Sequence, residues 1–281
     1  MVLTQITDYH RPRDVDAAWR LLGEGSARLL GGGTDLVVRC PPTVTALVDL
    51  SGTGLRYIEQ VADGSLRLGA MSTFTDLLEH PVVAAYGTGV VGEMLAQVGS
   101  VLHRNSATIG GHVVRSRLSD VLPVLLALDA RVDVYAGTSV EQPLADYLRT
   151  DHGPHVVVEV RLPPPVAGSA AAFVRFGRTG FDHAMVNGCC RVDVVDDTVA
   201  GARVVVGESS SVGRRLAAAE DALVGGCLDA ATMAAAVDAT RATAALHGDW
   251  IAGADYRRHL AGVVVERCLT TVAQRLRRGD A

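Results

Sequence analysis

Residues 107–129, ATIGGHVVRSRLSDVLPVLLALD, constrain the fold of this chain more than any other stretch. A short β-prone approach ends in the diglycine Gly110-Gly111. A polar loop carrying Arg115, Ser116 and Arg117 follows, and an apolar helix opens at Asp120 with Pro123 in its first turn. Diglycine lets backbone approach a ligand closely, and a helix N-terminus offers unpaired N–H groups with partial positive charge, so the pattern outlines an anion site. A second run, Gly31-Gly32-Gly33-Thr34-Asp35, follows another β-prone segment. Two such loops are able to clamp one pyrophosphate from both sides, although a triple glycine alone also serves as a plain turn.

The surrounding pattern is mixed. Strands at 27–30 and 45–50 bracket the first glycine loop in a β-α-β-like unit, and the loop sits at the carboxyl end of its strand, where open α/β units bind ligands. Residues 8–23 read as an entry loop with Pro12 followed by an amphipathic helix. Runs at 55–60 and 66–70 flank the turn 62–65 as a hairpin. A helix starts within 71–78 with Ser72 or Thr73 as cap and is broken by Pro81. Residues 88–98 predict a further helix, 131–135 and 156–162 strands, and 144–148 a helical turn.

Pro163-Pro164-Pro165 and the small-residue run 168–172 form the clearest composition break, which places a domain boundary there, with one domain over 1–165 and the next over 170–281. Beyond it, strands at 173–178, 185–195 and 199–207 predict a three-stranded antiparallel sheet, with a turn at 208–211. Helices follow over about 214–224, 230–245 and 256–278. The last carries Leu260, Val263, Val264, Cys268 and Leu269 at helical spacing.

Composition excludes several classes of function. With 281 residues, 48% of them hydrophobic and only 4% aromatic, the chain buries a full core built from Val, Leu and Ala. All 26 basic residues are arginine and the net charge is −5. Their densest cluster is Arg275, Arg277 and Arg278, too small for a nucleic-acid footprint. No signal pattern and no long apolar run is present, so a cytoplasmic protein without a membrane span is expected. Cys40, Cys189, Cys190, Cys227 and Cys268 lack metal-ligand spacing and read as buried structural thiols. His103, His183 and His247 are scattered, and no metal site is expected.

The ordered motifs LGGGTDL (30–36), VDLS (48–51), LRLGAMSTFTDLLEHP (66–81), RNSATIGGH (104–112), SDVLPVLLALDA (119–130), the spacing of Arg178, Asp182 and Ala184, and DYRRHLAGVVVERCL (255–269) resemble one family across essentially the whole chain. It is the flavin-binding (medium) subunit of the molybdenum hydroxylases, which includes carbon monoxide dehydrogenase medium subunits and xanthine dehydrogenase FAD domains. The resemblance implies an α+β chain: a PCMH-type FAD-binding region of two α/β subdomains, about 1–53 and 54–165, and a C-terminal domain with a three-stranded antiparallel sheet and helices. It implies FAD as cofactor, with the diphosphate held by Gly31, Gly32, Gly33, Thr34 and Asp35 on one loop and Thr108, Gly110 and Gly111 on the other, and with Leu30, Leu36, His112 and Ser119 also among the cofactor-binding residues. Asp120 would meet the ribityl or ribose region. Arg175 stands where relatives often carry a lysine near the flavin ring. A molybdopterin-binding large subunit and a [2Fe–2S] small subunit are the implied partners, and electron relay to an external acceptor the implied function.

The chain departs from the family pattern in the second loop. His112 replaces the usual asparagine, Ser116-Arg117 replaces Ser-Pro, the loop is one residue shorter, and Arg115 and Arg117 add two cations near the presumed diphosphate or, equally, face solvent. These departures leave open a stand-alone FAD-dependent oxidase or dehydrogenase of the same fold acting on a small organic substrate, and a flavin-free binding protein derived from it.

Overall fold

A computed structural model describes residues 3–23, 25–117, 119–208 and 211–279. The chain opens with β1 (Asp8–His10), α1 (Val15–Leu22), β2 (Ala27–Leu30), α2 (Leu36–Arg39), β3 (Ala46–Asp49), β4 (Ile58–Gln60) and β5 (Leu66–Gly69). Five short helices follow the fifth strand in turn: α3 (Phe74–Glu79), α4 (Pro81–Ala85), α5 (Val90–Gln97), α6 (Val101–Ser106) and α7 (Ile109–Arg115). Then come α8 (Val121–Ala127), β6 (Arg131–Tyr135), β7 (Ser139–Pro143), α9 (Leu144–Tyr147) and β8 (Val156–Leu162). The chain ends with β9 (Ser169–Phe176), β10 (Val186–Val195), β11 (Thr198–Glu208), β12 (Ser211–Arg215), α10 (Ala217–Asp221), α11 (Ala230–Thr243) and α12 (Ala254–Arg278). Two compact units interleave along it. One holds the residues up to Glu79 with 100–115 and 130–163; the other holds 80–99, 116–129 and the residues from Pro164 onward.

The first unit contains two sheets. In the smaller one, of order β1-β3-β2, every pairing is parallel. Residues 8–10 are therefore strand and not entry loop, because β3 supplies the pairing partner that the local sequence lacks. Asp14 starts α1 by accepting from the Ala17 N–H at 2.7 Å. The larger sheet, of order β4-β5-β8-β6-β7, is antiparallel throughout. Its edge strand β7, SVEQP, is mostly exposed and has no apolar alternation that a sequence reading would catch. At the start of α3, Thr73 Oγ1 accepts from Asp76 N–H at 3.1 Å while Asp76 Oδ2 accepts from Thr73 N–H at 2.9 Å. This reciprocal cap identifies Thr73 over Ser72 as the helix start. Pro81 ends that helix by opening the next one, α4.

The second unit is built on an antiparallel sheet of order β12-β11-β10-β9. The three long strands are those expected, and the short β12 adds a fourth on the edge. Strand β10 is buried along most of its length because both faces are covered. On one face Gly188 meets α12, where an added Cβ would lie 2.7 Å from Val264. On the other, odd-numbered residues face α8: Asn187 bonds its first residues and Arg191 reaches Asp129 just past its end, at 2.9 Å. Alternation on a pleated strand thus puts the two polar side chains of VNGCCRV, Asn187 and Arg191, on the same face, where each finds a partner. Cys40, Cys189, Cys190 and Cys268 are buried as expected, whereas Cys227 is exposed. Of the expected turn at 208–211, Ser209 and Ser210 lie outside the described residues. No helix among the described residues is long and apolar enough to cross a membrane.

Candidate functional site

The two glycine segments that are far apart in sequence converge in the first unit. The loop after β2 runs along α7. At its start, an added Cβ on Gly31 would lie 3.0 Å from Thr108 Oγ1, and one on Gly32 would lie 1.6 Å from the Ser106 carbonyl oxygen. At its end, Asp35 Oδ1 stands 3.2 Å from Arg115 Nε. Leu30 and Leu36 frame the loop by packing on the small apolar cluster of Cys40, Val44 and Leu47. Gly32 is therefore required by the approach of one backbone segment to another, Gly31 is favoured by the close Thr108 side chain, and Gly33 is required by its left-handed φ of 70°.

Accounting for the backbone donors separates the roles of the two segments. The N–H groups of Gly32, Gly33 and Thr34 have no acceptor among the described residues. Three successive open donors beside a left-handed glycine form a concavity suited to an anion. The second segment differs from its sequence reading. Its diglycine lies inside helix α7, not at the end of a β-prone approach, and the donors of the first turn are already used. Ile109 N–H bonds Ser72 O at 3.1 Å, Gly110 N–H bonds Ala70 O at 2.9 Å, and Gly111 N–H bonds Thr108 Oγ1 at 3.2 Å. Gly110 is required by packing, since its Cβ would fall 2.6 Å from the Cβ of Ala70. Gly111 is exposed and leaves that part of the helix surface bare. The first loop thus supplies donors, and the second segment supplies the wall against which it closes.

Charge at this place is set by Asp35. Arg39 Nη1 lies 2.7 Å from the Asp35 oxygen that Arg115 also approaches. One carboxylate between two guanidiniums leaves a net positive charge beside the open donors. His112 is not on the surface of the cradle. It is 5% exposed, and its ring packs 4.5 Å from that of Phe74 and 6.1 Å from that of His103. Burial, reinforced by His103 and Arg115, pushes its pKa down to about 3, so the buried ring is neutral.

The second unit carries its own polar cluster at the start of α8. Asp120 occupies the cap position but makes no capping bond with its side chain. Ser119 takes that task, its Oγ accepting from Val121 and Leu122 N–H at 3.2 and 3.3 Å. The Asp120 carboxylate is thereby released from the helix. Its Oδ1 accepts from Asn187 Nδ2 at 2.6 Å, and Arg175 Nε stands 3.2 Å from its Oδ2. Arg175 is held in turn by the carbonyls of Gly180, at 3.0 Å, and Asp182. Asn187 was not a sequence candidate. The signal was present as a lone amide in the buried strand VNGCC, where a polar group needs a partner.

Comparison with known proteins identifies the family. A family model described as the FAD binding domain in molybdopterin dehydrogenase matches residues 4–165, and one described as the CO dehydrogenase flavoprotein C-terminal domain matches residues 171–272. The 6-hydroxypseudooxynicotine dehydrogenase complex subunit alpha of Paenarthrobacter nicotinovorans is 29% identical, over 96% of this chain and 95% of its own. The carbon monoxide dehydrogenase medium chain of Hydrogenophaga pseudoflava is 26% identical, over 93% of this chain and 95% of its own. A solved structure of carbon monoxide dehydrogenase from Hydrogenophaga pseudoflava superposes with a TM-score of 0.90 at 26% identity, covering 96% of this chain and 98% of that one. With both family models in chain order and an open-donor glycine loop within the first, this chain belongs to the FAD-binding subunits of the molybdopterin dehydrogenases, oxidoreductases whose cofactor in this subunit is FAD.

Proposed function

We propose that this chain is the flavin-bearing relay of a molybdenum hydroxylase. In this reading, substrate is oxidised at a molybdopterin centre in a large subunit, [2Fe–2S] clusters in a small subunit carry the electrons, and this chain passes them to an external acceptor. FAD, when bound, supplies a centre able to exchange electrons singly or in pairs. The observation that carries the reading is the loop with open N–H groups at Gly32, Gly33 and Thr34, closed on α7. That is the donor set a diphosphate requires, and a diphosphate distinguishes FAD from simpler flavins. The relatives are themselves named as a complex subunit and a medium chain, which supports a role within an assembly.

Within this reading the residues divide by task. Gly32, Gly33 and Thr34 donate to diphosphate oxygens, and the 106–108 backbone with Thr108 forms the opposing wall. Gly31, Gly110 and Gly111 keep the segments close and uncluttered. In the second unit, Ser119 caps α8 so that Asp120 is left to accept from cofactor hydroxyls, and Arg175 supplies a fixed cation. His112 acts from the core by supporting α7 and not by contacting the cofactor.

The test is the composition of the native protein. Purification from its own host should give a flavin spectrum with one FAD per chain and iron and molybdenum in fixed proportion to it. A fully FAD-loaded chain with neither metal, whose flavin is reduced directly by a small organic substrate, would refute the relay and establish a stand-alone flavoenzyme.

A further inference from the structure

We infer that Arg115 closes the diphosphate cradle, locking the glycine loop onto α7 and furnishing the positive charge that makes this site select an anion. The inference rests on the assignment of the diphosphate to residues 31–35 and concerns a residue which the family pattern does not supply.

The geometry is specific. The loop contacts α7 at two places, Gly31 against Thr108 at the start of the helix and Asp35 against Arg115 at its last residue. A helix of seven residues is about 10 Å long, so the contacts fasten both ends of the loop along one side of it. The open donors of Gly32, Gly33 and Thr34 lie between these fastenings. Without the second one, the loop is held only at Gly31 and Gly32. Its donors would then have to be ordered when ligand binds, at a cost in affinity.

Charge points the same way. Asp35 alone would repel a diphosphate, yet its carboxylate is shared by Arg39 and Arg115. The Arg39 side chain is 47% exposed, whereas that of Arg115 is only 11% exposed, so its charge is the less screened of the two. A guanidinium suits the task because it is always charged and more weakly hydrated than an ammonium, so it pairs with Asp35 at low exposure. His112, one turn earlier on α7, is neutral and does not substitute for it.

The experiment measures FAD affinity of the full-length apoprotein by quenching of flavin fluorescence, at roughly 0.05 and 0.5 M salt. R115Q should weaken binding about tenfold at the lower salt, the scale of one charge-assisted contact. The deficit should shrink at the higher salt, because screening removes the same term from the wild type. R115K should recover most of the affinity, since it keeps the charge. R149Q removes an exposed cation paired to Asp146 in the same unit and should bind as the wild type does. Thermal unfolding accompanies each variant. If R115Q does not fold, R115K decides: loss of binding with the wild-type salt dependence overturns the inference. Wild-type affinity and salt dependence in a folded R115Q overturn it equally, while FAD binding by the wild type upholds the flavoprotein assignment. Absence of FAD binding by the wild type overturns both.

Discussion

Replacing Gly32 by alanine tests the convergence of the two glycine segments most directly. The backbone at Gly32 is not left-handed, so alanine carries no conformational penalty there and the effect is purely steric. The added Cβ would stand 1.6 Å from the Ser106 carbonyl oxygen, 2.5 Å from its carbon and 3.2 Å from Ala107 Cα. Those atoms are backbone, pinned by the Ala107 N–H to His103 O bond at 2.8 Å and the Phe74 N–H to Ala107 O bond at 3.0 Å. The neighbour cannot rotate away, and the loop must lift by more than an ångström. Overpacking costs about 1–3 kcal/mol where side chains can adjust, and a clash with fixed backbone belongs at or above the top of that range. At roughly 2–4 °C per kcal/mol for a protein of this size, the melting temperature should fall by about 6–12 °C. FAD affinity should fall as well, because the donors of Gly32 and Gly33 move with the loop. Gly31→Ala meets only side chains, the Thr108 hydroxyl at 3.0 Å and the Met71 sulfur at 3.7 Å, and should be milder, and Gly180→Ala meets nothing within 4 Å and should be silent. The assays are thermal unfolding and flavin fluorescence quenching on all three variants. A G32A protein that melts and binds FAD like the wild type would show that the segments do not meet as described.

Further predictions follow from the same structure. His112 has its pKa lowered from 6.5 to about 3, so its contribution to stability is complete above pH 6.5 and is lost as the pH falls toward 3. Roughly 2 kcal/mol should be gone at pH 5, and in urea titrations across this range H112L should show a shallower acid slope than the wild type. Asp120→Ala and Asp120→Asn both leave Arg175, whose side chain is 9% exposed, without its counter-charge, which should cost about 3 kcal/mol in each; Asp120→Ala also removes the acceptor of Asn187 and should cost about 1 kcal/mol more. Chemical denaturation of the two variants is the check, and an Asp120→Asn protein as stable as the wild type would deny the ion pair its role. Ser119→Ala removes both capping bonds of α8 and should cost about 1 kcal/mol, with the same measurement as its check.

Local chemistry made much of this protein legible from its sequence alone. The glycine runs, the apolar strands 27–30, 131–135 and 156–162, and the helical stripe of α12 follow from residue type and spacing, which act over a few positions and need no partner. The motif order likewise points to a flavin subunit without any coordinates. Only the tertiary structure decided what those glycines are for. Gly110 belongs to a packed helix because Ala70 lies against it, and the open donors sit on the first loop because Ser72, Ala70 and Thr108 already satisfy the second. Strands β1 and β7 exist because β3 and β6 pair with them, and Asn187 matters because the fold brings it to Asp120, 67 residues away in sequence. Whether a backbone N–H is spent or available depends on which acceptors the distant chain delivers, and that is information no local pattern contains.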